Sequence, residues 1–133
     1  IDFLFGSVFK HKLMHGFFPK KIYWTFGFYT THSVGFFIKK TAQDKIGPYN
    51  TKYKWSADYD LFYKMIVKNK MKGVATKKTE IFGRFRPGGM SSKIRYIDFL
   101  KENSQIRIDN GQNKFIVLVI FILRLLRNFT KLF

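Results

Sequence analysis

The chain has 133 residues, 46% of them hydrophobic and 20% aromatic, which is one domain's length with enough apolar material for a real core. Twenty-five Lys and Arg against eight Asp and Glu give a formal charge of +17, which favours an anionic partner: nucleic acid, a sugar nucleotide or an acidic membrane surface. The absence of cysteine excludes disulfides and thiolate metal sites and fits a reducing compartment.

In chain order, residues 2–8 read as a short aromatic and β-branched strand broken by Gly6, lying inside a sheet. The chain opens at Ile1 inside that strand pattern, so the start of a larger domain is expected upstream. Residues 9–21 form a basic loop. Its His11 and His15 share the i, i+4 spacing of a helical metal pair but have no intervening Glu, and they read as solvent-facing. An aromatic run over 22–29 leads into Thr30-Thr31-His32-Ser33, and Val34 begins a compact apolar strand to Ile38. His32 stands at that strand's entrance, either as a hydrogen-bonded structural residue or as one of the few polar groups of a ligand pocket.

Residues 39–46 predict a short helix stopped by Gly47 and Pro48, and 49–55 a loop. The loop delivers the chain to Trp-Ser-Ala-Asp-Tyr-Asp-Leu-Phe-Tyr-Lys-Met, residues 55–65, which hold two of only eight acids, Asp58 and Asp60. Leu61, Phe62, Met65 and Ile66 mark one buried helix face, so both carboxylates sit at the start of a helix expected to run to about residue 71. Asp58, or Ser56, serves there as a cap that complements the helix dipole. Alternatively Asp58 is a general base that takes a proton from an attacking hydroxyl, and one residue can do both.

Residues 74–86 predict one long strand or a hairpin. In the loop that follows, Gly88 and Gly89 would let backbone approach a ligand, and Arg84, Arg86 and Ser91 would meet a phosphate. The other reading is a plain turn with Ser91 or Ser92 capping the next helix, since no Gly-Lys-Ser/Thr ending is present. That helix runs from 93 toward 108, closed by Asn110-Gly111. Residues 114–133 hold nine unbroken apolar residues, Phe115 to Leu123, and then Arg124, Arg127 and Lys131. A span needs about 20 apolar residues, so three readings stand: a basic helix in a membrane interface, a buried terminal helix, or a strand over 116–120.

Four stretches, in order, resemble the C-terminal half of family two glycosyltransferases: Thr31-His32-Ser33-Val34-Gly35-Phe36-Phe37-Ile38-Lys39-Lys40, Ile46-Gly47-Pro48-Tyr49-Asn50, Ser56-Ala57-Asp58-Tyr59-Asp60-Leu61, and Phe85-Arg86-Pro87-Gly88-Gly89-Met90-Ser91. They are similar to the family's His-aromatic-strand-Arg/Lys, Gly-x-Phe/Tyr-Asp/Asn, Ala-Asp-Tyr-Asp-Leu and Phe-x-x-Gly-Gly-x-Ser patterns. The resemblance covers residues 3–92, about two thirds of the chain.

The resemblance implies an α/β chain: a partial GT-A, Rossmann-like glycosyltransferase domain over 1–92, lacking its N-terminal nucleotide-binding half, followed by a helical tail over 93–133. It implies inverting transfer of a sugar from a nucleotide-sugar donor to a hydroxyl of a glycan or lipid-linked acceptor, in cell-surface polysaccharide or lipopolysaccharide synthesis. The implied location is cytoplasmic, peripheral on the inner face of the membrane. Asp58 matches the family's catalytic base, while His32, Asp60, Arg86, Gly88, Gly89 and Ser91 match positions on the acceptor side or near the diphosphate.

The family's Asp-x-Asp motif, which holds a divalent cation (Mn or Mg), has no counterpart here, and Gly6-Ser7 stands where many members carry Gly-Asp. The cation is therefore expected of a full-length parent, and the chain alone is expected to transfer no sugar. Two other functions compete. One is a basic nucleic-acid-binding module stacking bases on Tyr53, Trp55 and Tyr63, although no recognition motif accompanies them. The other is a non-catalytic membrane adaptor built on 114–133.

Overall fold

A computed structural model describes residues 1–9, 12–24, 35–84 and 95–129. The chain is mixed α/β, with small sheets and four α-helices among the described residues. It divides into two compact units, Ile1–Pro48 with Met65–Pro87, and Tyr49–Lys64 with Gly88–Phe133. Tyr49–Lys64 thus groups with the C-terminal helices.

The first unit is built around its opening segment. Phe-Leu-Phe alternates so that Phe3 and Phe5 bury on one face, and Gly6 then splits the run into β1 (Phe3–Phe5) and β2 (Ser7–Phe9). Each half is the middle strand of a separate three-stranded sheet. β1 pairs antiparallel with Phe36–Ile38 and parallel with Gly73–Ala75, Phe3 lying opposite Ile38 on one side and Gly73 on the other. β2 pairs antiparallel with Leu13–Met14 and parallel with Ile81–Arg84, with a register shift between Ser7 and Val8. In chain order these partners are β3 (Leu13–Met14), β4 (Phe36–Ile38), β5 (Gly73–Ala75) and β6 (Ile81–Arg84).

Phe3, Phe5, Phe17 and Phe36 make the aromatic core of this unit, with ring centroids 5.3 to 5.7 Å apart in four of their pairings. Ile22, on the 3-10 turn Pro19–Tyr23, is also fully buried.

Residues 74–86 form neither one long strand nor a hairpin within their described part. The turn between β5 and β6 closes on itself: Glu80 N–H donates to the Lys77 carbonyl (3.0 Å) and Lys77 N–H to the Glu80 carboxylate (3.1 Å). The Ser7 hydroxyl also donates to the Lys77 carbonyl, at 3.0 Å, so the turn is pinned where β1 passes into β2. His15 differs from its expected solvent-facing position. It is half-buried, with Nε2 2.8 Å from the Thr76 carbonyl oxygen of that turn. His11 lies outside the described residues.

Helix α1 (Lys40–Ile46) ends as its punctuation predicts, on Gly47 at φ 78°, a left-handed conformation that suits glycine.

In the second unit, α2 (Ala57–Tyr63) is buried on every side rather than on one face. Tyr59, Asp60, Leu61, Phe62 and Tyr63 are each at most 2% exposed. The chain continues as one π-helical stretch, Lys64–Lys68, and ends there, with Lys70 at φ 51° and Met71 N–H donating to the Met65 carbonyl.

Helix α3 (Tyr96–Asp109) is closed by Asn110 and Gly111, the latter at φ 93°, and α4 (Lys114–Arg127) packs against it. The Asn113 carboxamide oxygen caps α4, accepting from Phe115 and Ile116 N–H at 2.9 and 3.2 Å. The strand alternative for 116–120 is therefore replaced by helix, and Val117 is the one buried residue of that helix. No helix among the described residues is long and apolar enough to cross a membrane.

Candidate functional site

Asp58 is the second residue of α2, in the first turn where four backbone N–H groups lack helical acceptors. Ser56 takes the N-cap position without capping, and its buried hydroxyl has no partner among the described residues. The capping comes instead from a side chain 46 residues downstream, since Glu102 on α3 accepts from Ser56 N–H through Oε1. The same carboxylate takes Trp55 N–H at 2.8 Å through Oε1 and Lys54 N–H at 3.0 Å through Oε2. Three successive amides thus converge on one anion, and this fixes the loop that enters α2.

With Glu102 in that place, Asp58 need not cap from outside the helix. It is half-buried and accepts Tyr59 N–H at 2.9 Å within its own turn. Burial pushes its carboxyl above the ordinary carboxylate range, and the charge of Glu102 adds to this, while the backbone N–H groups of Tyr59 and of Asp58 itself pull the other way. Among the described residues no cation pairs with it. A carboxylate raised above its ordinary range, with no cation beside it among the described residues, is a better proton acceptor than one at its ordinary value.

Sequence reasoning missed two neighbours of Asp58. Glu102 carries no local signal, because a lone Glu inside a helical pattern gives no hint that it caps another helix. Tyr49 stood in the Gly47-Pro48-Tyr49-Asn50 motif without a role. Its phenol is pushed up by burial and then by the charge of Asp58, so it stays protonated while 48% of the residue remains exposed.

Asp60 does not hold the pocket position expected of it. It is 1% exposed, and its Oδ1 accepts from the Asn110 carboxamide at 2.8 Å while Oδ2 pairs with Lys64 at 3.0 Å. Both contacts are structural, tying α2 to the end of α3 and to its own next turn. His32, Arg86, Gly88, Gly89 and Ser91 lie outside the described residues.

Tyr59 is fully buried, and its hydroxyl accepts from Arg107 Nε at 2.9 Å. Burial pushes its phenol up, while Arg107 and Arg124 pull it back. Tyr53 and Tyr63 are also buried. Tyr53 O–H donates to Asp109 at 2.5 Å and Tyr63 O–H to Gln112 at 3.1 Å, so neither ring presents a face on which a base would stack.

Two grooves belong one to each unit, and neither is lined by Asp58 or Asp60. One, of about 510 Å³, lies over β1 and β4 beside Ile1, Asp2 and Lys39. The other, of about 400 Å³, lies between α3 and α4 and is lined by Lys101, Gln105 and Phe121 among others. No three His, Asp or Glu side chains gather as a metal-ligand group among the described residues. Comparison with protein-family models, with curated proteins and with solved structures finds no match to the chain.

Proposed function

We propose that the chain supplies the acceptor side and the general base of an inverting, family two, GT-A glycosyltransferase. The observation that carries this reading is Asp58, half-buried at the start of α2, raised by burial and by Glu102, and without a cation among the described residues. The ordered resemblance of four stretches to the family supports it, since Asp58 falls on the position of the base.

In this reading the acceptor is a hydroxyl of a glycan or lipid-linked saccharide, and the donor is a nucleotide sugar. The hydroxyl oxygen attacks the anomeric carbon from the face opposite the nucleoside diphosphate, and Asp58 takes the hydroxyl proton as the new C–O bond forms. The old C–O bond breaks with its electron pair leaving on the diphosphate, so the anomeric configuration inverts. Tyr49, whose phenol feels the charge of Asp58 and stays neutral, is able to orient a sugar hydroxyl by hydrogen bonding. The α2 entry loop is held by Glu102, which makes Glu102 a positioning residue rather than a reacting one.

The test is sugar transfer from a panel of nucleotide sugars by the protein that carries this chain, measured for Asp58 and for Asp58→Asn. The substitution is expected to cut turnover by about 10²- to 10⁴-fold with nucleotide affinity nearly unchanged. Unchanged turnover removes Asp58 from the chemistry.

A further inference from the structure

Helix α4 has two apolar sides. One packs against α3, where Val117 is 1% exposed and Phe121 lines the groove between the helices. The other faces solvent: Phe115, Leu118, Val119, Ile122, Leu123 and Leu126 are 40% to 72% exposed. Phe115, Val119, Ile122 and Leu126 recur at steps of 4, 3 and 4, which aligns them along one stripe, and Leu118 and Leu123 widen it on either side. No charged residue interrupts the stripe. The cations of the helix lie off it, Lys114 and Arg127 at its flanks and Arg124 toward Tyr59 and the packed side.

We propose that this stripe of α4 lies flat in the interface of an anionic lipid bilayer, with α3 on its back and its free side among the upper acyl chains. Three features select lipid over a second protein helix. Leu118 and Leu123 make the stripe broader than a two-position helix seam, and only cations, Lys114 and Arg127, border it, whereas a helix-to-helix seam is usually bordered by charges of both signs that set the partner and its direction. Every charge from residue 110 to the end of the sequence is positive, Lys114, Arg124, Arg127 and Lys131, and the whole chain carries +17, which complements a negatively charged leaflet. At 14 residues the helix is about 21 Å long, short for crossing a bilayer but sufficient for lying along it. Lys114 and Arg127 are placed to reach up to phosphate groups with their aliphatic stems over the apolar edge. The inference does not rest on the sugar-transfer reading.

The test is flotation of the chain with vesicles of phosphatidylcholine alone or mixed with phosphatidylglycerol, at low and high salt, beside sedimentation without lipid. The chain is expected to float with the mixed vesicles, to release as salt rises, and to ignore neutral ones. Lys114→Gln combined with Arg127→Gln is expected to weaken partition about 30-fold. Ile122→Glu is expected to abolish flotation while keeping the helical circular dichroism of the parent, since Ile122 is already 46% exposed. Because the chain has no cysteine, a polarity-sensitive dye on Val119→Cys reports the same event and is expected to shift to the blue with mixed vesicles only. Equal binding to neutral vesicles, flotation unchanged in Ile122→Glu, or a lipid-indifferent dimer that Ile122→Glu dissolves would each overturn the proposal.

Discussion

Asp58 and Asp109 sit in the same unit and are shifted in opposite directions, so they divide the pH scale between them. The hydrogen bonds from Tyr53 and Gln105, with Lys52 beside it, hold Asp109 below the usual carboxylate range. Its contribution is present above the unfolded carboxylate pKa and is lost as pH falls through the lower folded value. Asp58 is raised, so the fold favours its protonated form. Its effect costs nothing below the ordinary carboxylate range, grows as pH rises from the ordinary value toward the raised folded one, and is full above it. Asp58→Asn is therefore expected to leave stability unchanged in acid and to raise it at neutral pH, whereas Asp109→Asn is expected to lower it there. Thermal unfolding of the two variants at matched pH checks the signs. Glu102→Ala strands three amides at the entry to α2 and is expected to cost about 2–3 kcal/mol in denaturant unfolding. The position of Asp58 at a helix start could be read from the residues around it, because the apolar spacing begins just after it. Glu102 could not, because its partners are distant in sequence and are backbone atoms, which leave no trace in residue type.

At the scale of elements, close packing decides what the short strands tolerate. A Cβ on Gly73 would fall on the ring of Phe3, which is 2% exposed in the middle of its sheet and has nowhere to turn. Gly73→Ala is expected to destabilise by about 1–3 kcal/mol, whereas Gly47→Ala meets no atom and is expected to cost only the strain of its left-handed φ; equilibrium unfolding of the pair separates the two causes. The ends of α1 and α3 were legible because glycine and proline mark them directly. The pairing of β5 and β6 was not. Val74-Ala75 and Ile81-Phe82 are each too short to show which strand they meet, and the polar stretch 76–80 between them folds as a turn closed by its own hydrogen bonds. Helix α2 likewise showed one apolar face in its spacing but is buried all round, since Tyr59, Tyr63 and Asp60 bury with their polar ends satisfied by Arg107, Gln112, Asn110 and Lys64. Polar side chains that satisfy one another in the interior read as surface in a sequence.

At the scale of the whole molecule, mixed α/β architecture was legible from the alternation of short strand and helix patterns, and its division into units was not. The 57–63 helix lies between strand patterns in the chain, yet it groups with α3 and α4, because Glu102, Arg107 and Asn110 hold it there. The excess of positive charge named a class of partner without placing it. The structure adds an uncharged apolar stripe on α4 with cations on its borders, and the lipid proposal follows from that juxtaposition. The same unit therefore carries both the proposed base and the proposed membrane contact.

A base at Asp58 requires a carboxylate lifted from its ordinary range, with no cation beside it among the described residues. The direct measurement is the carboxyl-carbon NMR titration of Asp58 in the chain, beside Glu102→Gln. The midpoint is expected above the ordinary aspartate value and is expected to fall when the charge of Glu102 is removed. A midpoint at or below the ordinary value, indifferent to Glu102, would contradict it.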